Sequence, residues 1–324
     1  MWLSVTILAR IGQFIFIRVG IIALLAGSAF FSSPAWSIGE KLLDQLISSD
    51  FIYDRNISNA PPLMIGYLDT NAQNGLTFDG ECPTALKDDC RLSYRSLSQG
   101  FGTPVWVGQK DMLVLGETLD VDYFSNRTES FSIYTGGVLA AWINQPSEQW
   151  QQGAFVYNYW NLGDDQERAD TSTVYAGYVA RYRHSARFHS YVGLIYTDAL
   201  ERALVFPYAA FDWFVDNRWT ISAILPWPLL TYSPNPDQAF KVGALVTGSS
   251  WTSASDGDVY SRDFTQLNLG FVFEQRLNDL FWGEFSLGYA GLGRLSMDSD
   301  QDSDLEVDLE SSPYFRIGIT VRPF

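Results

Sequence analysis

From Arg91 onward the chain is a succession of stretches in which apolar and polar side chains alternate, and the stretches are long. Over 113–123, Leu113, Leu115, Leu119, Val121 and Tyr123 alternate with Gly116, Thr118, Asp120 and Asp122. A period of two puts the two sets on opposite faces of a strand. Comparable stretches run over 91–98, 130–143, 150–161, 172–184, 188–197, 204–214, 218–230, 239–251, 264–275, 281–295 and 312–324, which makes twelve, most of 8–14 residues. Soluble strands average about 5–6 residues. Strands that cross a bilayer need about 9–11.

Length therefore favours a membrane over a soluble sandwich. No stretch after the N-terminus is apolar for long enough to cross as a helix; 136–143, one of the longest candidates, is ended after eight positions by Thr135 and Asn144 on its flanks. The remaining way to pair every backbone group inside lipid is a closed barrel. The expected fold is all-β: a transmembrane antiparallel β-barrel of about 12 strands (10–14) over 91–324. An even count puts both termini on the periplasmic side. It also makes 252–263 and 296–311 external loops, and Asp216-Asn217, a two-residue hairpin signal, an external turn. Aromatic residues make up 15% of the chain, enough to furnish girdles at both membrane interfaces.

The formal charge is −16. Residues 1–37 hold Arg10 and Arg18 and no acid, which leaves the remainder near −18. That balance argues against a nucleic-acid partner, since phosphate binding needs a basic patch. Arg10 and Arg18 precede an apolar run over 19–31, and Ala35-Trp36-Ser37 gives a small-residue exit, the plan of a secretory signal peptide over 1–37. Residues 38–90 read as an irregular N-terminal segment. Leu42, Leu43, Leu46 and Ile47 share one face of a short helix over 38–49 that is too short to stand alone, so it is expected to pack against the periplasmic mouth. Cys82 and Cys90, in an oxidising compartment, are expected to form a local disulfide.

The final stretch places Phe315, Ile317, Ile319 and Val321 on one face, with Tyr314, Arg316, Gly318, Thr320 and Arg322 between them, and ends on Phe324. It resembles the closing strand of Gram-negative outer-membrane β-barrels. That resemblance implies outer-membrane lipid as surroundings and the barrel-assembly machinery as a partner that reads the C-terminal strand. The apolar set lies one residue out of step with Phe324, and Pro323, which cannot donate to a ladder, offers a bulge there. A second block, Phe206-Pro207-Tyr208, Asp212-Trp213, Trp219, Leu225-Pro226 and Tyr232, with a glycine-bearing strand to Trp251, resembles an uncharacterised family of predicted outer-membrane barrels. It implies architecture and location, without an activity.

Candidate chemistry is sparse. Over 298–310 an acid stands at every second position, so Asp298, Asp300, Asp302 and Asp304 share one face of an extended chain. Either this is a solvated acidic loop, or a Ca²⁺-type ion relieves the repulsion through oxygen ligands; no other cofactor is expected. Arg181 and Arg183 share a strand face, and if that face is luminal they could meet Glu117, Asp120 and Asp122 at a constriction or fill a closed lumen. His184 and His189 are the chain's two histidines. Each adjoins a serine, which puts histidine and neighbour on opposite strand faces and prevents direct pairing. The expected function is thus a non-catalytic outer-membrane barrel, either a small channel or a structural or surface barrel. The alternatives are an outer-membrane lipid hydrolase and a soluble secreted β-protein.

Overall fold

The computed structural model describes residues 49, 51, 57–61, 64–77, 91–125, 130–163, 171–198, 203–224, 227–255, 258–299 and 305–322. In chain order the strands are β1 (Gly66–Thr77), β2 (Arg91–Val107), β3 (Asp111–Ser125), β4 (Ser130–Asn144), β5 (Trp150–Gly163), β6 (Thr171–Ser185), β7 (Phe188–Thr197), β8 (Leu204–Phe214), β9 (Trp219–Ile224), β10 (Trp227–Asn235), β11 (Gln238–Ser255), β12 (Asp258–Arg276), β13 (Phe281–Ser299), β14 (Leu305–Leu309) and β15 (Ser312–Val321). From β1 to β14 each strand pairs antiparallel with the next in sequence, β15 pairs with β13, and β1 pairs with β2 on one side and β15 on the other. The sheet closes on itself. β14 and β15 lie in one register along β13, interrupted at 310–311, so they are two halves of one strand. The barrel has fourteen strands.

Two strands account for the difference from twelve. Gly66–Thr77, expected to be irregular, is β1. Its outward residues are Leu68, Thr70 and Ala72, a face too weakly apolar to stand out. The stretch 218–230 is two strands, β9 and β10, joined through Leu225-Pro226. The extra crossing moves the Asp216-Asn217 turn to the end that carries both chain termini. There the Asp216 carboxylate accepts the backbone N–H groups of Arg218 and Trp219 at 2.7 and 2.8 Å. Those two donors hold its pKa below the usual carboxylate value.

Links at this inner end are two to five residues long. At the outer end, much of what reads as external loop is strand. β11 and β12 stay paired up to Ser255 and Asp258, and β13 and β14 pair over Gly293–Met297 and Leu305–Leu309. Strand heights are uneven: β11, β12 and β13 have 18 or 19 residues while β9 has six. Six residues rise about 20 Å along the strand, less than the roughly 25 Å apolar band of such barrels. The wall is therefore low between β8 and β11. Leu204, Val205 and Phe206, beyond the reach of β9, are exposed on both faces of β8.

The distribution of side chains is inverted relative to a soluble protein. Buried positions include Asn71, Gln73, Ser96, Asp122, Gln266, Asn268 and Glu274, while Leu68, Leu115, Leu119, Val156, Leu194, Ile317 and Ile319 are exposed. Apolar surface this extensive is not left facing water. Exposed tryptophans lie near the inner ends of β2, β4, β5, β8 and β9 (Trp106, Trp142, Trp150, Trp213, Trp219), and Trp160 and Tyr289 stand toward the outer end. This is the aromatic girdle that marks membrane interfaces. The soluble β-protein alternative requires the apolar faces to pack a core, and they point outward instead.

Candidate functional site

The inward faces enclose a chamber of about 500 Å³. β1 supplies Tyr67, Asp69 and Asn71; β2 supplies Tyr94, Ser96 and Ser98; β3 supplies Asp120 and Asp122. Tyr157, Tyr159 and Tyr175 line it as well, with Glu284 from β13 and, beside β1, Tyr314 and Arg316 from β15. Glycines make room for the rings. A Cβ on Gly100 would collide with the Tyr67 ring, and one on Gly288 would strike both the Leu269 carbonyl and Tyr314. Asp122 accepts the Tyr94 hydroxyl proton at 2.8 Å, Asp120 is bonded to Ser98, and Arg316 is paired with Glu284. Tyr157, Tyr159 and Tyr175 form a ladder, with ring centroids 5.8 and 6.1 Å apart.

The chamber is obstructed at both ends. Toward the outside, Phe264 of β12 reaches across the lumen to Tyr94 and Phe124, with all three centroid separations between 5.0 and 5.5 Å. Beside this latch Gln73 donates to Ser312 at 2.6 Å and accepts from Gln266 at 3.1 Å. At the inner end two described residues of the N-terminal segment are anchored to the rim. Phe51 is buried against Val107 and Met112 on the β2–β3 side. The Asn59 amide donates to the Asn217 carbonyl at 2.7 Å and its side chain to the Ser233 carbonyl at 3.2 Å. Phe51 and Asn59 are thus anchored at β3 and at the turn before β9, six strands apart in a ring of fourteen. Near that end Glu274, 1% exposed, accepts from Lys241 at 2.6 Å and Arg322 at 2.7 Å.

Asp120 and Asp122 line the chamber. Arg181 and Arg183 do not meet them. They line a separate recess with Gln145, Glu148 and Gln149 near the inner ends of β5 and β6, where Arg181 contacts Gln151 at 3.4 Å and the His189 ring at 3.1 Å. The reason is height: the arginines lie within four residues of the inner end of β6, whereas Asp120 is nine residues beyond the inner end of β3. Glu117 is not luminal at all. It is exposed in phase with Leu115 and Leu119 and faces outward. The Ca²⁺-type reading concerns Asp300, Asp302 and Asp304, which lie outside the described residues, and Asp298, described only as β13 backbone opposite Ser261. Cys82, Cys90, the signal segment and the short helix also fall outside them, apart from Ser49 at the helix's end.

Sequence reasoning missed Asp69, Asn71 and Gln73 because it missed β1. His184 reaches a serine other than its sequence neighbour, Ser190 across the hairpin, with Nε2 2.8 Å from Ser190 Oγ. That pair is exposed, between Tyr182 and Phe188. Among the described residues no acid or amide orients the ring from its other nitrogen.

No family model matches the sequence, and no curated protein matches it. Among solved structures, the translocator domain of autotransporter NalP from Neisseria meningitidis is 11% identical with a TM-score of 0.37, over 91% of this chain and 97% of that one. The TodX monoaromatic hydrocarbon channel deltaS2 mutant is 7% identical with a TM-score of 0.44, over 80% and 90%. The beta domain of the Bordetella autotransporter Brka is 10% identical with a TM-score of 0.30, over 80% and 100%. These likenesses carry no assignment of activity. The closed wall, the outward apolar belt and the tryptophan girdle make this chain an outer-membrane β-barrel.

Proposed function

We propose that the protein is a non-catalytic, gated channel for small polar solutes. The supporting observation is the chamber itself. It is polar, large enough for a small molecule, and obstructed by non-covalent contacts, the Phe264 side chain toward the outside and the anchored residues Phe51 and Asn59 at the inner end. A purely structural barrel needs no such space. Among the described residues the exposed His184–Ser190 pair has no acid or amide orienting the ring, which favours the channel over lipid hydrolysis. The closing strand, with Phe315, Ile317 and Ile319 outward, is the surface we propose the barrel-assembly machinery reads.

Planar-bilayer conductance tests this reading. Refolded wild type is expected to open rarely. A variant carrying Phe264→Ala in the outer latch and Phe51→Ala with Asn59→Ala in the inner strap is expected to conduct steadily. Folding of both is checked by the faster migration of unheated sample on a gel. Silence of a correctly folded triple variant overturns the channel in favour of a structural barrel. Phospholipid hydrolysis that disappears in Ser190→Ala moves the reading to the hydrolase.

A further inference from the structure

We infer that the chamber is a binding site for a small organic cation, with primary ammonium groups as the recognised chemistry. The inference deepens the channel reading by naming its solute class, although binding is measurable whether or not the barrel conducts. Among the described residues, four carboxylates line the chamber (Asp69, Asp120, Asp122 and Glu284) against one guanidinium, Arg316. Glu284 is taken by Arg316, and Asp122 by the Tyr94 hydroxyl. Asp120 is bonded to Ser98 with no cation beside it among the described residues, and Asp69 has only a share in the field of Arg316, whose hydrogen bond goes to Glu284.

A second observation points the same way. Asn71, 8% exposed and lining the same chamber, has a side-chain carbonyl oxygen with no hydrogen-bond partner. A buried acceptor without a donor is unfavourable, so it is a place where a donor is missing. Two carboxylates and an amide oxygen accept and do not donate, and a ligand made of N–H donors complements them. The walls carry tyrosine faces, whose ring quadrupoles attract a cation. A bare metal ion fits less well. No three His, Cys, Asp or Glu side chains among the described residues are grouped to hold one, and the chamber is many times larger than an ion. A diamine of four or five carbons would let one ammonium meet Asp69 and Asn71 while the other meets Asp120, with its methylenes against the tyrosines.

Calorimetry on the refolded protein in detergent, with putrescine as probe and 1,4-butanediol as its neutral counterpart, tests the site. Saturable putrescine binding and no butanediol binding are expected. Asp120→Asn and Asp69→Asn should each weaken binding by about ten-fold or more, and Asn71→Leu by less. Glu117→Gln, on the lipid face, should leave it unchanged. The measurement is repeated on Phe264→Ala, whose outer latch is open, so that slow entry cannot pass for absence. No saturation of either protein by about 10 mM putrescine, equal binding of butanediol, or full binding by both aspartate variants overturns the inference. Displacement of putrescine by equimolar Ca²⁺ would show a general cation sink and overturn it as well. Failure of binding with steady conductance in the latch-open variant leaves the channel standing without this solute. Binding without conductance leaves the site standing without a channel.

Discussion

Glu274→Ala is expected to destabilise the folded barrel by about 3–5 kcal/mol, because it leaves two cations without their anion in a site closed to water. Glu274 is 1% exposed and accepts from both Lys241 and Arg322. Arg322 cannot swing away cheaply: its guanidinium lies 5.8 Å from the centre of the Trp282 ring and its Nε donates to Thr320 at 2.9 Å. The check is the temperature at which the compact, fast-migrating band converts to the slow one. Glu274→Gln keeps an acceptor and should lose less. A triple replacement, Glu274→Leu with Lys241→Met and Arg322→Leu, should recover much of the loss, since it removes charge and desolvation together. A triple variant no more stable than Glu274→Ala would mean that the site is held by shape and not by the ion pairs.

Ile317→Arg is expected to cost about 2–4 kcal/mol, the penalty of a cation in the apolar belt. Ile317 faces outward at mid-strand, 49% exposed, next to Thr70 of β1 and Phe285 of β13. The converse case is already present in the chain. Glu117 stands in the outward file with Leu115 and Leu119, so Glu117→Leu should stabilise the barrel in lipid, by about 1 kcal/mol or less. Urea unfolding in lipid vesicles reads both. An Ile317→Arg variant as stable as wild type would mean that this face does not meet hydrocarbon.

Where residues were legible, the outward set did the telling. β3 and β15 announce themselves because Leu113, Leu115 and Leu119, or Phe315, Ile317 and Ile319, are large enough to mark every second position. β1 was invisible because Thr70 and Ala72 are not. β9 and β10 merged into one because Leu225-Pro226 lacks the glycine, asparagine or aspartate that usually marks a hairpin turn. Glu117 was assigned to the lumen for its charge, although its spacing from Leu115 and Leu119 had already put it on the other face. The chamber's closures were out of reach for a different reason. Phe264 meets Tyr94 and Phe124 only because the sheet closes, bringing β12 opposite β2 and β3, and local alternation carries no record of partners five strands away. The inner strap is the same kind of feature: Asn59 and Asn217 are joined by barrel geometry and by nothing in their flanking sequence.

The most direct test of the inside-out barrel is its exposure pattern along the closing strand. Single cysteines at Phe315, Ile317 and Ile319, and at Arg316 and Thr320, are placed one at a time in a Cys82→Ser, Cys90→Ser background. Each is labelled with a small fluorophore and read in vesicles containing brominated lipid. Strong quenching is expected at 315, 317 and 319 and weak quenching at 316 and 320, alternating residue by residue. Equal quenching at all five positions, or stronger quenching at 316 and 320, would contradict a membrane-spanning barrel with its polar chamber inside.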